Sequence, residues 1–269
     1  MKICFIGGGN MATALIGGLL AQGFKADAVS VVEINPDNRA CLTAEFGVRS
    51  DADLAAGVAG CDTIVLAVKP QQLHDVAAQL APMLTGQLLI SIAAGIRASD
   101  LARWANSTAV VRAMPNTPAL IQSGMSGLFA LSTVSAAQRA QAEQILAAVC
   151  KTLWLSDEAM LDGVTAISGS GPAYVFYLIE AMQAAAIELG FNAVDARLLS
   201  QETFLGAAKL AQSSSDEVAT LRQRVTSKNG TTERALLSLE ANQVKQHIIT
   251  AAHAAAARSR EMGDELGRA

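Results

Sequence analysis

The stretch Lys2-Ile3-Cys4-Phe5-Ile6-Gly7-Gly8-Gly9-Asn10-Met11-Ala12 decides the fold. Its apolar, β-branched opening predicts a strand, and the apolar run from Met11 to Ala21 predicts a helix. Between them Gly7, Gly9 and Ala12 fit the G-x-G-x-x-A form of a dinucleotide-binding turn. Gly7 permits the tight turn, Gly9 lets a diphosphate approach the backbone, and Ala12 lets the helix lie close to the strand. The free N–H groups and dipole of the helix start then hold the diphosphate. A glycine-rich turn without a ligand is the plainer alternative. Against it stand the strand before, the helix after, and an acid, Glu33, at the end of the next β-branched run.

Outward from this turn, Val29 to Glu33, Thr63 to Val68, Leu88 to Ile92 and Ala109 to Arg112 are further short β-branched runs. They alternate with helical patterns at Gln71 to Leu80 and Ala136 to Val149, which predicts βαβ units and a mostly parallel sheet. Prolines stand at 36, 70, 82, 115, 118 and 172 and nowhere later, and sixteen of the 21 glycines precede Pro172. The expected fold is therefore an α/β Rossmann-type N-terminal domain with a mostly parallel sheet, residues 1–155, followed by an all-α C-terminal domain, residues 156–269. In the second part Ser170 and Pro172 predict the cap and first turn of a helix over Tyr174 to Leu189, which Gly190 stops. Ser214 and Glu217 form a capping-box pattern before Val218 to Val225. Further helices are expected from Thr232 and over the Ala-rich Val244 to Arg260. So small a helical domain with broad apolar faces predicts a homodimer through those helices, a monomeric bundle being the alternative.

With 51% hydrophobic and 16% charged residues the chain is globular rather than disordered. A formal net charge of −4 and the lack of a long basic tract argue against nucleic acid as a partner. Cys4, Cys41, Cys61 and Cys150 have no paired spacing, which predicts buried reduced thiols and no metal cluster. The uncharged run after Lys2 is broken by Gly7 to Gly9 and Asn10, so it does not read as a signal peptide. Other uncharged stretches such as Ala113 to Gln138 contain Pro, Asn, Gly and Ser and do not read as a membrane span. A cytoplasmic protein without membrane contact is expected. His74, His247 and His253 have no acid partner in sequence and read as surface or packing residues.

By the ribose rule Glu33 accepts the 2′-hydroxyl and disfavours a 2′-phosphate, pointing to NADH. Arg39 argues for NADPH if the loop at Asn35 and Pro36 turns it inward. The sequence leaves NADPH or NADH undecided.

Five blocks carry a resemblance to the pyrroline-5-carboxylate reductase family. They are Gly7-Gly8-Gly9-Asn10-Met11, Ala67-Val68-Lys69-Pro70-Gln71, Arg112-Ala113-Met114-Pro115-Asn116-Thr117-Pro118, Ser168-Gly169-Ser170-Gly171-Pro172-Ala173-Tyr174 and Thr226-Ser227-Lys228-Asn229-Gly230-Thr231-Thr232. The resemblance implies reduction of 1-pyrroline-5-carboxylate to L-proline by NADPH or NADH. It implies a dimer of interlocked helical domains, with a larger ring of dimers left open. It implies cofactor contacts at Ile6, Gly7, Gly8, Gly9, Asn10 and Met11, at Ala67, Val68, Lys69 and Pro70, and at Ile92, Ala93 and Ala94, with Met114, Pro115 and Asn116 at the nicotinamide end. Lys69 as a surface residue, Pro70 as a first-turn proline and Met114 to Asn116 as a plain turn are the bland alternatives. The small-molecule substrate would lie on Ser227, Asn229, Gly230, Thr231 and Thr232. Here the chain departs from the family, which usually has Pro-Gly where Lys228-Asn229 stands. Asn tolerates positive φ, which allows the same loop.

A protonated iminium arrives already activated, so positioning suffices and no strong side-chain base is required. The N–H groups of Gly230, Thr231 and Thr232 are expected to bind the carboxylate, and the Thr232 hydroxyl the ring nitrogen. The alternative makes Thr231 or Thr232 a helix cap. A hydroxyacid dehydrogenase-like oxidoreductase is the second reading, but apolar Val175 occupies the place of its catalytic lysine. A non-catalytic nucleotide-sensing module is the third, and it gives Thr226 to Thr232 no purpose.

Overall fold

The computed structural model describes residues 1–268. The chain runs β1 (Ile3–Ile6), α1 (Asn10–Ala21), β2 (Val29–Val32), α2 (Pro36–Phe46), β3 (Arg49–Asp51), α3 (Leu54–Val58), β4 (Thr63–Leu66), α4 (Pro70–Leu80), β5 (Leu88–Ser91), α5 (Ala98–Trp104), β6 (Val110–Met114), β7 (Gly124–Ala130), α6 (Ala136–Ala147) and β8 (Cys150–Trp154). Helices follow: α7 (Met160–Val164), a π turn (Thr165–Gly169), α8 (Gly171–Glu188), α9 (Ala193–Ser213), α10 (Val218–Arg224), α11 (Thr231–Ala241) and α12 (Val244–Leu266).

The strands form one sheet in the order β3-β2-β1-β4-β5-β6-β7-β8. All neighbours are parallel except β6 and β7. Both faces are covered, as uninterrupted apolar strands require. On β1, Ile3 and Phe5 pack with Leu15, Ile16 and Leu19 of α1 and with Ile145 of α6. Cys4 and Ile6, pointing the other way, pack with Leu73 and Leu80 of α4 and Leu101 of α5.

The five predicted strands are present, but three others carried no readable signal. β3 is three residues long and polar, and β7 contains Gly124, Ser126 and Gly127. Gly127 belongs there because a Cβ would stand 2.8 Å from Val164 of α7. Strand β8 mixes Lys151 and Thr152 into a sheet edge. The unread helices are α2, α3, α5, α7 and the 21-residue α9; α3, α5 and α7 are short, and α2 buries only Leu42 and α9 only Ala196 and Ser200.

The helical part corrects two expected caps. Ser170 continues the helical path out of the π turn, at φ −84° and ψ −20°, instead of capping α8. The Ser214 hydroxyl bonds Asp216 instead of the N–H groups of α10, and Glu217 at that helix's N-cap makes no side-chain bond there. Gly190, at φ +100°, follows the end of α8 as expected.

Two compact units are present, Met1–Ser170 together with the described chain from Ala254 onward, and Gly171–His253. The expected boundary at 155 therefore falls inside the first unit. The reason is an anchor that the sequence did not show: Glu158 Oε1 accepts from Arg112 at 2.9 Å and from the Ala98 N–H at 2.7 Å. Asp162 accepts from the Ser259 hydroxyl at 2.6 Å, tying the end of α12 to the same place. No helix among the described residues is long and apolar enough to cross a membrane. All four cysteines are free, but Cys41 is exposed, contrary to the expectation of four buried thiols; it lies on the solvent side of α2.

Helix α1 meets the chain near β8 at Gly18, where a Cβ would collide with Val149 Cγ1 and lie 2.8 Å from the Ala148 carbonyl oxygen. Gly18→Ala, favoured by helix propensity, is therefore expected to lower stability by about 1–3 kcal/mol through overpacking. Chemical denaturation checks this, and an unchanged or raised midpoint at constant m-value contradicts it.

Candidate active site

Strand order reverses on either side of β1, whose neighbours are β2 and β4. A crevice belongs at the carboxyl ends of such strands, and one of about 370 Å³ lies there. Of the expected cofactor residues it is lined by Ile6, Gly7, Gly8, Gly9 and Glu33, and by Ala67, Val68 and Lys69.

The three glycines have different tasks. Gly7 has φ +97°, and a Cβ would stand 2.7 Å from the Ala67 carbonyl oxygen. At Gly8 a Cβ would stand 2.6 Å from Leu42 Cδ1. Gly9, the N-cap of α1, has an ordinary extended backbone, no side-chain cap and open space where its Cβ would be. The residues thus fit a dinucleotide: an uncapped helix start faces a cradle that a side chain at Gly9 would fill. Ala12 is buried, as close helix packing requires. Asn10 and Met11 form the first turn of α1 and do not line the crevice.

At the end of β2 the Glu33 carboxylate accepts from the Gly8 N–H at 2.7 Å and the Asn35 N–H at 2.8 Å. It holds the glycine turn to the following loop, a task that the ribose rule does not describe. The Asn35 side chain caps α2, accepting from Asp37 and Asn38 N–H groups. Arg39 is turned inward: its Nη1 donates to the carbonyls of Glu33 at 2.7 Å and Ile34 at 2.9 Å.

Pro70 is the first residue of α4, its missing N–H costing nothing there, while Lys69 before it faces the crevice. The rim also includes Ile34, Ala52, Leu54, Gln72, Val76 and Gln79, which sequence reasoning missed. Spacing i, i+4, i+7 places Gln72, Val76 and Gln79 on one face of α4, a readable signal; Ala52 and Leu54 depend on the unread β3. Ile92, Ala93 and Ala94 follow β5, half-buried or buried. Met114 ends β6, Pro115 is buried, and the Asn116 amide bonds Ser168 and the Met125 N–H.

In the second unit, Asn229 takes φ +59° and the Gly230 N–H donates to the Ser227 carbonyl at 3.0 Å, closing the turn in the way a Pro-Gly sequence would. That bond removes the Gly230 N–H from the expected carboxylate donors. Gly230 is the N-cap of α11 without a side-chain cap, so neither Thr231 nor Thr232 caps it. Their N–H groups lie in the first turn and have no intrahelical acceptor. Glu233 accepts from the Asn229 N–H at 2.6 Å. A hollow of about 360 Å³ is lined by Asn229, Gly230, Thr231, Glu233, Arg234 and Leu237. Ser227 is exposed and Thr232 half-buried, and neither lines that hollow.

Contrary to the expectation that His74 lacks an acid partner, it pairs with the adjacent Asp75 at 3.0 Å and packs edge-on against Trp104, while His247 and His253 are exposed. Among the described residues no group of His, Cys, Asp and Glu is placed to hold a metal ion. Burial pushes the Cys150 thiol up to about 11, an inert side chain.

An open doubly wound sheet with this glycine turn, joined to a helical unit, defines a dinucleotide-dependent oxidoreductase. Residues 158–262 match the family described as Pyrroline-5-carboxylate reductase dimerisation, and residues 2–95 match that described as NADP oxidoreductase coenzyme F420-dependent. The chain belongs to the pyrroline-5-carboxylate reductase family. It is 49% identical over 269 residues to the Pseudomonas aeruginosa pyrroline-5-carboxylate reductase, covering 99% of this chain and 98% of that one. A solved pyrroline-5-carboxylate reductase structure from Coxiella burnetii superposes with a TM-score of 0.92 at 40% identity, covering 97% of this chain and 98% of that one. The Plasmodium falciparum enzyme, solved with NADP bound, gives 0.87 at 28% identity and 98% of both chains. The hydroxyacid dehydrogenase-like and nucleotide-sensing readings give way to this membership.

Because Gly9 is conformationally ordinary and its Cβ position open, Gly9→Val is expected to fold and to lose cofactor binding. Titration of cofactor fluorescence against the folded variant measures it, and wild-type affinity removes the diphosphate site.

Proposed function

We propose that this chain reduces 1-pyrroline-5-carboxylate to L-proline, the last step of proline biosynthesis, using NADPH in preference to NADH. Full-length identity of 49% to a reductase of that name is the observation that carries the reading. The crevice and the uncapped start of α11 are the geometry that fits it.

When bound, the reduced nicotinamide supplies a hydride to the C=N carbon. The first-turn N–H groups of α1, Asn10 and Met11 included, hold the diphosphate. The floor runs over Ala67 to Pro70, Ile92 to Ala94 and the Met114-Pro115 end of β6. On α11, the N–H groups of Thr231 and Thr232 bind the substrate carboxylate, aided by the helix dipole. The Thr232 hydroxyl, half-buried and free of any capping bond, contacts the ring nitrogen, while Ser227 and Asn229 shape the turn beside it. The imine brings its own proton, so the chain's contribution is orientation: reacting atoms must be held ~3–3.5 Å apart.

The cofactor preference rests on Arg39. Its Nη1 is fixed on two carbonyls of the loop that would border the adenosine ribose, and the remaining guanidinium donors suit a 2′-phosphate. Asn35, at the start of α2, presents the neighbouring amide. The partly buried Glu33 charge already has two N–H donors, which lessens its repulsion of a phosphate.

The helical unit supports a homodimer. Helices α8, α10 and α11 contain no buried residue, and Phe176, Tyr177, Leu189 and Val194 are 65%, 73%, 79% and 76% exposed. The same unit carries a groove of about 940 Å³ whose lining includes Leu236, Leu239, Val244, Ile248 and Ile249. Exposed apolar area of this extent favours association over solvation. The second copy is the occupant that the dimerisation family match supports. A larger ring of dimers is consistent with this reading, as is a cytoplasmic enzyme that meets neither membrane nor nucleic acid.

Cofactor oxidation on adding 1-pyrroline-5-carboxylate tests the reaction, and no turnover by dimeric protein rejects it. Thr232→Val is expected to lower kcat/KM by ~1–3 kcal/mol, roughly 5- to 150-fold, with cofactor affinity and melting temperature little changed. Normal kinetics would remove the hydroxyl from the mechanism. For Arg39→Ala the expected rise in KM is about 10-fold or more with NADPH and under about threefold with NADH; equal changes place the 2′-phosphate elsewhere.

A further inference from the structure

The π turn and the proline that follows it create a local problem. In a continuous helix the Ser168 carbonyl would accept from the N–H four residues on, but that residue is Pro172, which has none. The turn closes instead by a bond from the Ser170 N–H to the Thr165 carbonyl at 2.8 Å. A half-buried carbonyl left without a donor destabilises the fold. Asn116 supplies the donor: its Nδ2 lies 3.2 Å from the Ser168 carbonyl oxygen and 3.2 Å from the Ser168 hydroxyl. Its Oδ1 meanwhile accepts from the Met125 N–H at 2.8 Å. One amide therefore joins β7, the π turn and the residues after β6.

A neighbouring contact reinforces this. A Cβ at Gly169 would stand 2.6 Å from Met114 Cε, so Met114 lies across the turn where glycine leaves room. Met114-Pro115 is thus fastened to Ser168-Gly169 at two adjacent points, by packing at Met114 and by hydrogen bonds at Asn116. π turns concentrate at functional sites, and this one bears on the segment assigned above to the nicotinamide end.

We propose that Asn116 is a positioning residue, whose amide fills the carbonyl vacancy made by Pro172 and thereby sets the height of the Met114-Pro115 floor under the nicotinamide, without itself binding the cofactor. This rests on the proposed reaction for its catalytic consequence but not for its structural one. The Nδ2 group bonds Ser168 twice and Oδ1 accepts from Met125, so donation from this amide to the cofactor would require breaking a bond within the protein.

The test uses the full-length protein with Asn116→Ala and the milder Ser168→Ala, which keeps the carbonyl acceptor. Hydrogen exchange without cofactor should show the Met125 amide opening on the order of 10-fold faster in Asn116→Ala and unchanged in Ser168→Ala. With NADPH and 1-pyrroline-5-carboxylate, Asn116→Ala should lose on the order of 10-fold or more in kcat. NADPH dissociation should stay within about threefold of wild type. The primary isotope effect on kcat, measured with deuterium at the transferred position, should rise as hydride transfer becomes limiting. An NADPH affinity that falls in step with kcat makes Asn116 a direct ligand and overturns the proposal. A change in melting temperature alone, with kcat and isotope effect at wild-type values, overturns it too. If wild type itself fails to turn over the imine, the reaction assignment fails, while the exchange data still judge the hub. If Asn116→Ala does not fold, Ser168→Ala decides: a kcat loss under about threefold, with the Met125 amide unchanged, is the expected result, and a loss matching that of NADPH affinity overturns the proposal.

Discussion

The turn at Gly7 is the constraint on which the first unit depends. Its N–H donates to the Val32 carbonyl at 2.8 Å on one side, and on the other the Ala67 N–H donates to the Ile6 carbonyl at 2.8 Å. The chain must leave β1 between two strands that are both still bonded to it. Only a left-handed residue without a Cβ fits, since any side chain would meet the Ala67 carbonyl. That exit aims α1 back across one sheet face and leaves its uncapped start above the junction of β1 and β4. The diphosphate cradle and the core around Phe5, Leu15 and Leu19 are thus consequences of one backbone geometry.

Charge at the end of β2 follows from the same geometry. With Gly8 drawn against Leu42, its N–H points toward Glu33, and the carboxylate answers it. The acid becomes part of the scaffold, and Arg39 reaches the loop carbonyls from the other side. A sequence rule that assigns the acid to the sugar treats the loop as rigid without it. In this chain the loop is held by the side chains that the rule assigns to the ligand.

Legibility followed local cause. Strands β1, β2, β4, β5 and β6 and helices α1, α4, α6, α8 and α12 were readable because periodicity or glycine chemistry lies within each segment. Strand β7 was not, because the neighbour that leaves no room for a side chain at Gly127, Val164, lies some 37 residues on, and the strand is set by its pairing with β6 and β8. The extension of the first compact unit to Ser170 was not readable for a related reason: Glu158 looks like a loop acid until Arg112 is seen beside it. Among site residues, Asn229 was readable, since few residues other than glycine accept φ +59°. The engagement of the Gly230 N–H was not readable, because it is consumed by the turn that its own block creates. Asn116 was noticed as part of a motif, but its partners, at 125 and 168, are not inferable from spacing.

The two units stand on different physical footing. The first buries its apolar residues within one chain, including the fully enclosed Ile3, Phe5, Ile64 and Ile90. The second leaves Phe176, Tyr177, Leu189 and Val194 largely in water. On the dimeric reading proposed above, those side chains are covered only on association, so the stability of the helical unit is tied to protomer concentration. Helix α11, whose unpaired first-turn N–H groups are assigned to the substrate carboxylate, belongs to that unit. On the assignments proposed above, cofactor binding would draw on a preformed crevice in the first unit, whereas substrate binding would draw on a helix of the unit whose apolar side chains a second copy covers. Dilution should then weaken the hold on the imine before it weakens the hold on the dinucleotide, because only the former shares its free energy with the interface.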